Sequence, residues 1–450
     1  MKQLKKRTLF VLLFAILMVA GLVIFLGLYV VNGEDWATFQ ANRHVYSNGK
    51  IAVGAITDRD GTVLYDCETG SYADDATLRR ATLHAVGDSA GNIGAGALQL
   101  FADLLIDYSP IFGTGGTGNT VALSIDGDLN KVAYEALDGQ SGTVALYNYK
   151  TGELLCMVSS PAYDPEDESE VAAVAAGDSA YTGAYLNRFL SSTYTPGSTF
   201  KLVTAAAALE NLDMEDFSYT CTGSITVDGA TVTCSGKHGT QTFGECLTNS
   251  CNCAFATLAL ELGGDVLEEY AQAAGLLDSS AVNGFTTAAG SFTASPDGSA
   301  ALAWSGVGQS TNLVNPCAEL VLMGCIANGG TAASPTMLSD VTGPLGFSVY
   351  DEAAGSFTVG WSASTCNTLK WMMRDNVLNK YSSTLDFGDL TVCAKSGTAE
   401  VGEGEPHAWF VGFVDSTVTP YAFVVIVEHG GTGVDAAGEI AAALLAAACG

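Results

Sequence analysis

An uncharged run from Thr8 to Val31, TLFVLLFAILMVAGLVIFLGLYVV, limits more than any other feature what this chain can fold into. A bilayer core tolerates a backbone only as a helix or a closed barrel, and about 20 apolar residues cross it as a helix. Residues 8–31 are therefore expected to form a transmembrane anchor. Lys2, Lys5, Lys6 and Arg7 precede the run and Glu34-Asp35 follow it, which predicts a cytoplasmic tail over 1–7 and everything after Gly33 outside. A cleaved signal peptide would carry an apolar core of only about 7–15 residues. With seven residues ahead of the run, no cytoplasmic output part of a signalling receptor is expected.

The 450 residues carry a formal charge of −30, so a nucleic-acid partner is excluded, since counterion displacement from phosphate needs a basic patch. An apolar content of 48% in a chain this long supports one large domain and a small one. Twelve cysteines in an exported chain are too sparse to be its main support. Most read as small core residues, and Cys221 and Cys234, which flank a hairpin-like segment from Thr222 to Thr233, are the candidate disulfide. Metal binding is the weaker reading, because Cys251-Asn252-Cys253 lacks the spacing of a zinc site and histidines 44, 84, 238, 407 and 429 form no ligand cluster in the sequence. No metal and no organic cofactor is expected.

The chemistry concentrates in Tyr194-Thr195-Pro196-Gly197-Ser198-Thr199-Phe200-Lys201, followed by the Ala-rich Leu202 to Glu210. Pro196-Gly197 breaks what precedes, and the Ala-rich run forms a helix, so Ser198 is expected in its first turn. Residues i and i+3 share a helix face, which brings the Lys201 amine to the Ser198 hydroxyl. A lysine desolvated by apolar neighbours is neutral enough to take the hydroxyl proton, so the pair is a nucleophile and its base. The pattern alone is weak, since Ser47-Asn48-Gly49-Lys50 repeats it. Two later elements single out Ser198: Ser250-Cys251-Asn252 and Lys395-Ser396-Gly397-Thr398.

Other matches lack context. Gly87-Asp88-Ser89-Ala90-Gly91 fits a hydrolase elbow without its strand and helix, and Gly113 to Gly118 fits a dinucleotide loop but leads into a strand. Lys150-Thr151-Gly152 copies the third motif, yet it precedes Ser198 and reads as a turn between strands at 142–147 and 153–158. Ser310-Thr311-Asn312 repeats the second motif after Gly306-Val307-Gly308-Gln309. Taken singly, Ser250 reads as a helix-surface serine, Asn252 as a cap and Lys395 as a solvated lysine.

In order, Ser-x-x-Lys, Ser-x-Asn and Lys-Ser-Gly-Thr resemble the transpeptidases of the class B penicillin-binding proteins, and so do the longer phrases around them, such as His238-Gly239 and Leu247 to Ala256. The resemblance implies an α+β fold, an antiparallel sheet flanked by helices, as in the penicillin-binding protein and β-lactamase superfamily. The catalytic domain is expected over 119–450, above a short membrane-proximal pedestal over 34–117 that includes a hairpin at Ile56 to Tyr65. The run from Leu247 to Leu262 reads as helical. Lys395 should lie on an edge strand, followed by strands from Ala408 to Val414 and Ala422 to Glu428 and a helix from Ala436 to Cys449.

For the site, the resemblance implies Ser198 as nucleophile, Lys201 as its base, Ser250 and Lys395 in proton transfer to the leaving group and Asn252 orienting Lys201. Ser396, Gly397 and Thr398 would bind substrate. The backbone amides of Ser198 and Thr398 would form an oxyanion hole, worth about 3–4 kcal/mol per donor. The implied substrates are D-Ala-D-Ala stem peptides of peptidoglycan, with β-lactams as covalent inhibitors. The implied location is the bacterial cell membrane, crossed once, with the catalytic domain extracellular. No room is left for a glycosyltransferase domain, so a glycosyltransferase partner is expected. The rival readings are a D,D-carboxypeptidase or β-lactamase on the same fold, for which Glu166 and Glu168 offer no clear deacylating base, and a non-catalytic cell-wall scaffold.

Overall fold

The computed structural model describes residues 2–38, 54–105, 108–109, 113–114, 118–350, 354–402 and 404–450. His44, the Ser47-Asn48-Gly49-Lys50 match and residues 115–117 of the glycine run lie outside the described residues.

Helix α1 (Lys2–Thr38) contains the apolar run, and the most apolar 18-residue window within Gln3–Gly33 has a mean hydropathy of 3.2, with none of it buried. It is long and apolar enough to cross a membrane. The expected hairpin is β1 (Ala55–Thr57) paired antiparallel with β2 (Val63–Asp66), and β3 (Ser71–Tyr72) extends it. Helix α2 (Ala76–Val86) follows, capped by Asp75, whose carboxylate accepts from the amides of Thr77 and Leu78. Strand β4 (Thr120–Leu123) then lies parallel to β1. β4, at the expected start of the catalytic domain, joins the pedestal strands in one sheet.

The main sheet starts after helix α3 (Gly127–Leu137), with β5 (Gly142–Asn148) and β6 (Leu154–Ser160) as a hairpin. Its turn holds Lys150-Thr151-Gly152, where the Gly152 amide donates to the Asn148 carbonyl, as a structural turn should. After the helix α4 (Lys201–Asn211) come four short strands in two ribbons. β7 (Ser218–Cys221) pairs with β10 (Gly239–Thr242), and β8 (Ser224–Val227) pairs with β9 (Ala230–Thr233). Helices α5 (Phe243–Thr248), α6 (Asn252–Leu262) and α7 (Pro316–Ala327) follow. Strand β11 (Leu338–Thr342) returns to the first sheet beside β4. Helix α8 (Ala363–Asn379) leads to β12 (Val392–Ala399), β13 (His407–Val414) and β14 (Tyr421–Val427), and helix α9 (Glu439–Cys449) closes the chain.

The main sheet runs β12-β13-β14-β5-β6, antiparallel throughout, so β12 and its Lys395 form one edge. Its strands are nearly continuous in apolar residues, as in HAWFVGFV and YAFVVIV, because both faces are covered. Ala145, Tyr147, Trp409 and Val411 face one core with Leu202, Ala206, Phe255 and Met323 of α4, α6 and α7. Val144, Leu146, Phe410 and Val425 face another with Leu129 and Ala133 of α3 and Ile440 and Leu444 of α9. The α+β expectation is met.

The sequence reads as one helix from Leu247 to Leu262, but the backbone breaks between α5 and α6. Ser250 has φ +49°, outside the helical region, and Cys251 becomes the N-cap of a new helix. Such a conformation in a non-glycine residue costs about 1–3 kcal/mol. Amides of Ser250 and Cys251 bonded to the carbonyls of Leu247 and Cys246 help to hold it.

The pedestal is locked to the catalytic part by α2. Arg79 forks onto Asp164 with Nε–Oδ1 at 2.7 Å and Nη2–Oδ2 at 2.6 Å, and Arg80 pairs with Glu170. Asp164 is 5% exposed at its side chain, so Arg79→Ala takes both direct guanidinium bonds from a nearly buried carboxylate and leaves it Arg80 at 3.9 Å and the Glu166 amide. The expected loss is about 3 kcal/mol in urea unfolding of the full chain in micelles. A loss below about 0.5 kcal/mol would class this pair with exposed ones.

Candidate active site

The nucleophile turn is built from two glycines in contact. Gly197 has φ +54° and starts a tight turn over Gly197–Thr199 that passes into α4. Its amide donates to the Gly308 carbonyl at 2.9 Å, and a Cβ on Gly308 would lie 1.8 Å from the Gly197 carbonyl oxygen. The Gly306-Val307-Gly308-Gln309 segment therefore abuts the turn directly. Trp409 on β13 donates through its indole N–H to the Thr195 carbonyl at 3.0 Å, which ties the loop ahead of Ser198 to the sheet.

Lys201 is fully buried at the start of α4, and four acceptors surround its Nζ: Ser198 Oγ at 3.0 Å, Ser250 Oγ at 3.0 Å, the Ser250 carbonyl at 2.8 Å and Asn252 Oδ1 at 2.7 Å. The Phe255 ring lies beneath it, 5.7 Å from Nζ to the ring centre. The break at Ser250 is what makes this set possible. It turns the Ser250 carbonyl and hydroxyl toward one amine, while the first residue of α6 supplies Asn252 Oδ1. Burial pushes the Lys201 amine down to about 7, the range in which a lysine serves as a base at neutral pH.

Lys395 reaches the same place from β12. Its Nζ donates to Ser250 Oγ at 3.2 Å and to the Ser396 carbonyl at 2.8 Å, and it too is fully buried. Burial, reinforced by the charges of Lys201 and Lys380, pushes it well below the usual lysine range. The Ser250 hydroxyl thus lies between two lysine nitrogens and within one donor of Ser198. This is a continuous path for a proton.

The pattern of the family described as the penicillin-binding protein transpeptidase domain matches residues 142–446, more than half of the chain. The chain belongs to this family. It is 30% identical over 376 residues to the peptidoglycan D,D-transpeptidase PbpA of Mycobacterium tuberculosis, covering 77% of this chain and 74% of that protein. It is similar in structure to the D,D-transpeptidase domain of a peptidoglycan glycosyltransferase from Eggerthella lenta, with a TM-score of 0.75 and 26% identity over 88% of this chain and 97% of that one. The penicillin G acyl-enzyme complex of penicillin-binding protein A from M. tuberculosis aligns with a TM-score of 0.73 and 26% identity, over 89% and 100% of the two chains.

In this member of the family, Ser198, Lys201, Ser250, Asn252 and Lys395 come together as a bonded group. Ser396, Gly397 and Thr398 run along the edge strand beside them, with Thr398 exposed and Gly397 under the Pro196 carbonyl. The Gln309 amide approaches the Thr398 carbonyl at 3.5 Å. The repeated Ser310-Thr311-Asn312 stays apart, with buried Asn312 bonded to the Ser305 carbonyl. Glu166 accepts the Tyr72 amide on the pedestal side.

Three contributors were not singled out from the sequence. Buried Tyr381 accepts the Ser396 amide and meets the Ser396 hydroxyl, both at 3.0 Å, so it holds the edge strand at Ser396. Lys380 adds positive charge beside the two lysines. Glu319 on α7 is buried near Thr199, and burial raises its carboxyl to about 7. Only the three-dimensional neighbourhood marks them, since none lies in a motif.

One further reading changes. Cys221 and Cys234 are both free thiols, as are all twelve cysteines. Cys234 Sγ lies 3.9 Å from Cys251 Sγ, because the Ser250 bend brings Cys251 against the end of β9. His238 joins them: Cys221, Cys234, His238 and Cys251 place their ligand atoms within 4.8 Å of one another, so one histidine does cluster with three cysteines.

The contact between the two glycines is testable. Gly308→Ala should force the nucleophile turn to shift and slow labelling of Ser198 by a fluorescent penicillin by roughly 100-fold, since a misplacement of about 1 Å has that effect. An unchanged labelling rate would show that the turn does not depend on this contact.

Proposed function

We propose that this chain is a peptidoglycan D,D-transpeptidase that works through an acyl ester on Ser198 and is trapped by β-lactams at that stage. The observation that carries the reading is the buried Lys201 amine bonded at once to Ser198 Oγ, Ser250 Oγ and Asn252 Oδ1. The relatives' names and the acyl-enzyme complexes support the same chemistry.

Neutral Lys201 takes the Ser198 proton, and Ser198 Oγ attacks the carbonyl carbon of the penultimate D-alanine. The backbone amides of Ser198 and Thr398 take up the oxyanion charge. As the C–N bond breaks, the Ser250 hydroxyl gives its proton to the leaving D-alanine nitrogen and recovers one from the Lys201 ammonium. Lys395 donates to the Ser250 hydroxyl and holds it in line for this transfer. An acceptor amine on a second stem peptide then attacks the ester carbonyl, and the same relay runs in reverse to give the cross-link and free Ser198. Asn252 keeps Lys201 aimed at Ser198 throughout. Substrate backbone can add as a further strand along β12, its terminal carboxylate meeting the hydroxyls of Ser396 and Thr398.

In the same reading, residues 1–7 are cytoplasmic, 8–31 cross the cell membrane once, 34–117 form the pedestal and 119–450 the extracellular transpeptidase part. Glycan strands come from a separate glycosyltransferase.

Two measurements test this. Intact mass spectrometry of the full chain in micelles with penicillin G should show one adduct on the parent and none on Ser198→Ala, with slow loss of the adduct. No adduct on folded parent protein would leave a scaffold, and rapid turnover would make it a hydrolase. The rate of acylation should also rise with pH, half-maximal near 7, because burial lowers Lys201 to about 7 and only its neutral form accepts the proton. A rate independent of pH between about 6 and 8 would remove Lys201 as the base.

A further inference from the structure

Beside the active site, on the far side of the Ser250 bend, four metal-ligating side chains converge from four separate segments. Cys221 ends β7, Cys234 follows β9, His238 precedes β10 and Cys251 caps α6. Their spacing is Cys-x12-Cys-x3-His-x12-Cys. Each pair of neighbours sits at a ribbon end or a helix start, where the backbone turns and side chains can point inward together.

The distances decide between the two chemistries open to such a cluster. A disulfide needs sulfurs about 2.0 Å apart. A tetrahedral zinc ion about 2.3 Å from each sulfur and about 2.0 Å from a nitrogen sets edges of about 3.8 Å between sulfurs and about 3.6 Å from sulfur to nitrogen. Cys234 Sγ lies 3.9 Å from Cys251 Sγ and 3.5 Å from His238 Nδ1. All four ligand atoms fall within 4.8 Å of one another. The two edges at Cys234 match those of a metal site, the others are close enough to contract onto an ion, and three sulfurs with one imidazole are the donor set of zinc, not of magnesium or calcium.

Two further features fit. The Asn252 amide donates to Cys234 Sγ at 3.2 Å, the kind of outer contact that holds a thiolate ligand in place. The segment that carries the ligands is otherwise supported through a few inward residues, such as Val227 and Val232. Its ribbons β7–β10 and β8–β9 are two-stranded and mostly exposed, and two-stranded ribbons are marginal by themselves.

We propose that Cys221, Cys234, His238 and Cys251 form a closed tetrahedral site for one zinc ion, which clamps the bend carrying Ser250 and Asn252. With four protein ligands the ion has no open position and is structural. Cys251 lies between Ser250 and Asn252 in the chain, and Asn252 is held on the cluster side by Cys234 Sγ and by the Thr233 carbonyl, to which its Nδ2 donates at 2.9 Å. Fixing Cys251 and Cys234 therefore fixes both groups that bond Lys201. The positioning half of the proposal rests on the acyl-transfer reading above, whereas the metal site does not.

The full chain, purified from membranes in micelles with a reducing agent, is analysed for metal and by zinc-edge X-ray absorption. The expected result is one zinc per chain with three sulfurs at about 2.3 Å and one nitrogen at about 2.0 Å. Cys221→Ser and His238→Gln should each hold less than a tenth of that zinc. The absorption spectrum is read on the parent, so it stands even if a variant fails to fold. Protein that takes up no zinc when reduced and incubated with an equimolar amount, a shell of oxygen and nitrogen only, or a mapped Cys234–Cys251 disulfide with no metal would each overturn the site. Stripping the ion with a chelator should slow penicillin acylation at least tenfold, with zinc restoring it. An unchanged rate in stripped protein would overturn the clamp while leaving the metal content as measured.

Discussion

A lysine amine with no exposed surface is the constraint on which the rest of the structure depends. Burying an ammonium without partners is costly enough that the group gives up its proton or gathers acceptors, and Lys201 does both. Its acceptors come from its own helix turn and from the broken segment between α5 and α6. The strain at Ser250 is therefore not an isolated defect. It is the backbone shape that points a carbonyl and a hydroxyl at one nitrogen, while the next residue but one adds an amide oxygen.

The sheet and the helices serve this arrangement by rigidity. A five-stranded antiparallel sheet buried on both faces leaves β12 as an edge whose position follows from the whole core. Lys395 inherits that position, and Asn376 on α8 and Tyr381 tie the strand by bonds to the Ala394 carbonyl and the Ser396 amide. On the other side, the turn before α4 is held by Gly308 and Trp409. Ser198 and Lys395 thus belong to separate supports that meet over Ser250. Burial, with the charges of Lys201 and Lys380 nearby, disfavours the charged form of Lys395.

Much of this was legible in the sequence. The apolar run, the β1–β2 and β5–β6 hairpins, the helix after Ser198 and the edge strand at Lys395 follow from patterns that local physics enforces: hydrophobic length, alternation, turn glycines and helix propensity. The decoys were separable on the same grounds, since Lys150-Thr151-Gly152 had a turn's context and Ser310-Thr311-Asn312 followed the wrong segment. The helix across Leu247 to Leu262 was misread because its apolar period continues through the break. Nothing local marks Ser250 as left-handed. The cysteines were misread for a related reason, because pairing by closeness in sequence favoured Cys221 with Cys234, whereas the bend brings in Cys251.

By itself the sequence determined which candidate residues the three motifs supply and in what order, the long apolar helix and the class of fold, because these depend on residue type and short-range spacing. The tertiary structure decided which of those groups touch. The fourfold coordination of Lys201, the meeting of two lysines at Ser250, the support from Tyr381 and Gly308 and the gathering of Cys221, Cys234, His238 and Cys251 all join segments distant in the chain. Their contacts are set by how buried faces pack, and no local pattern encodes that packing.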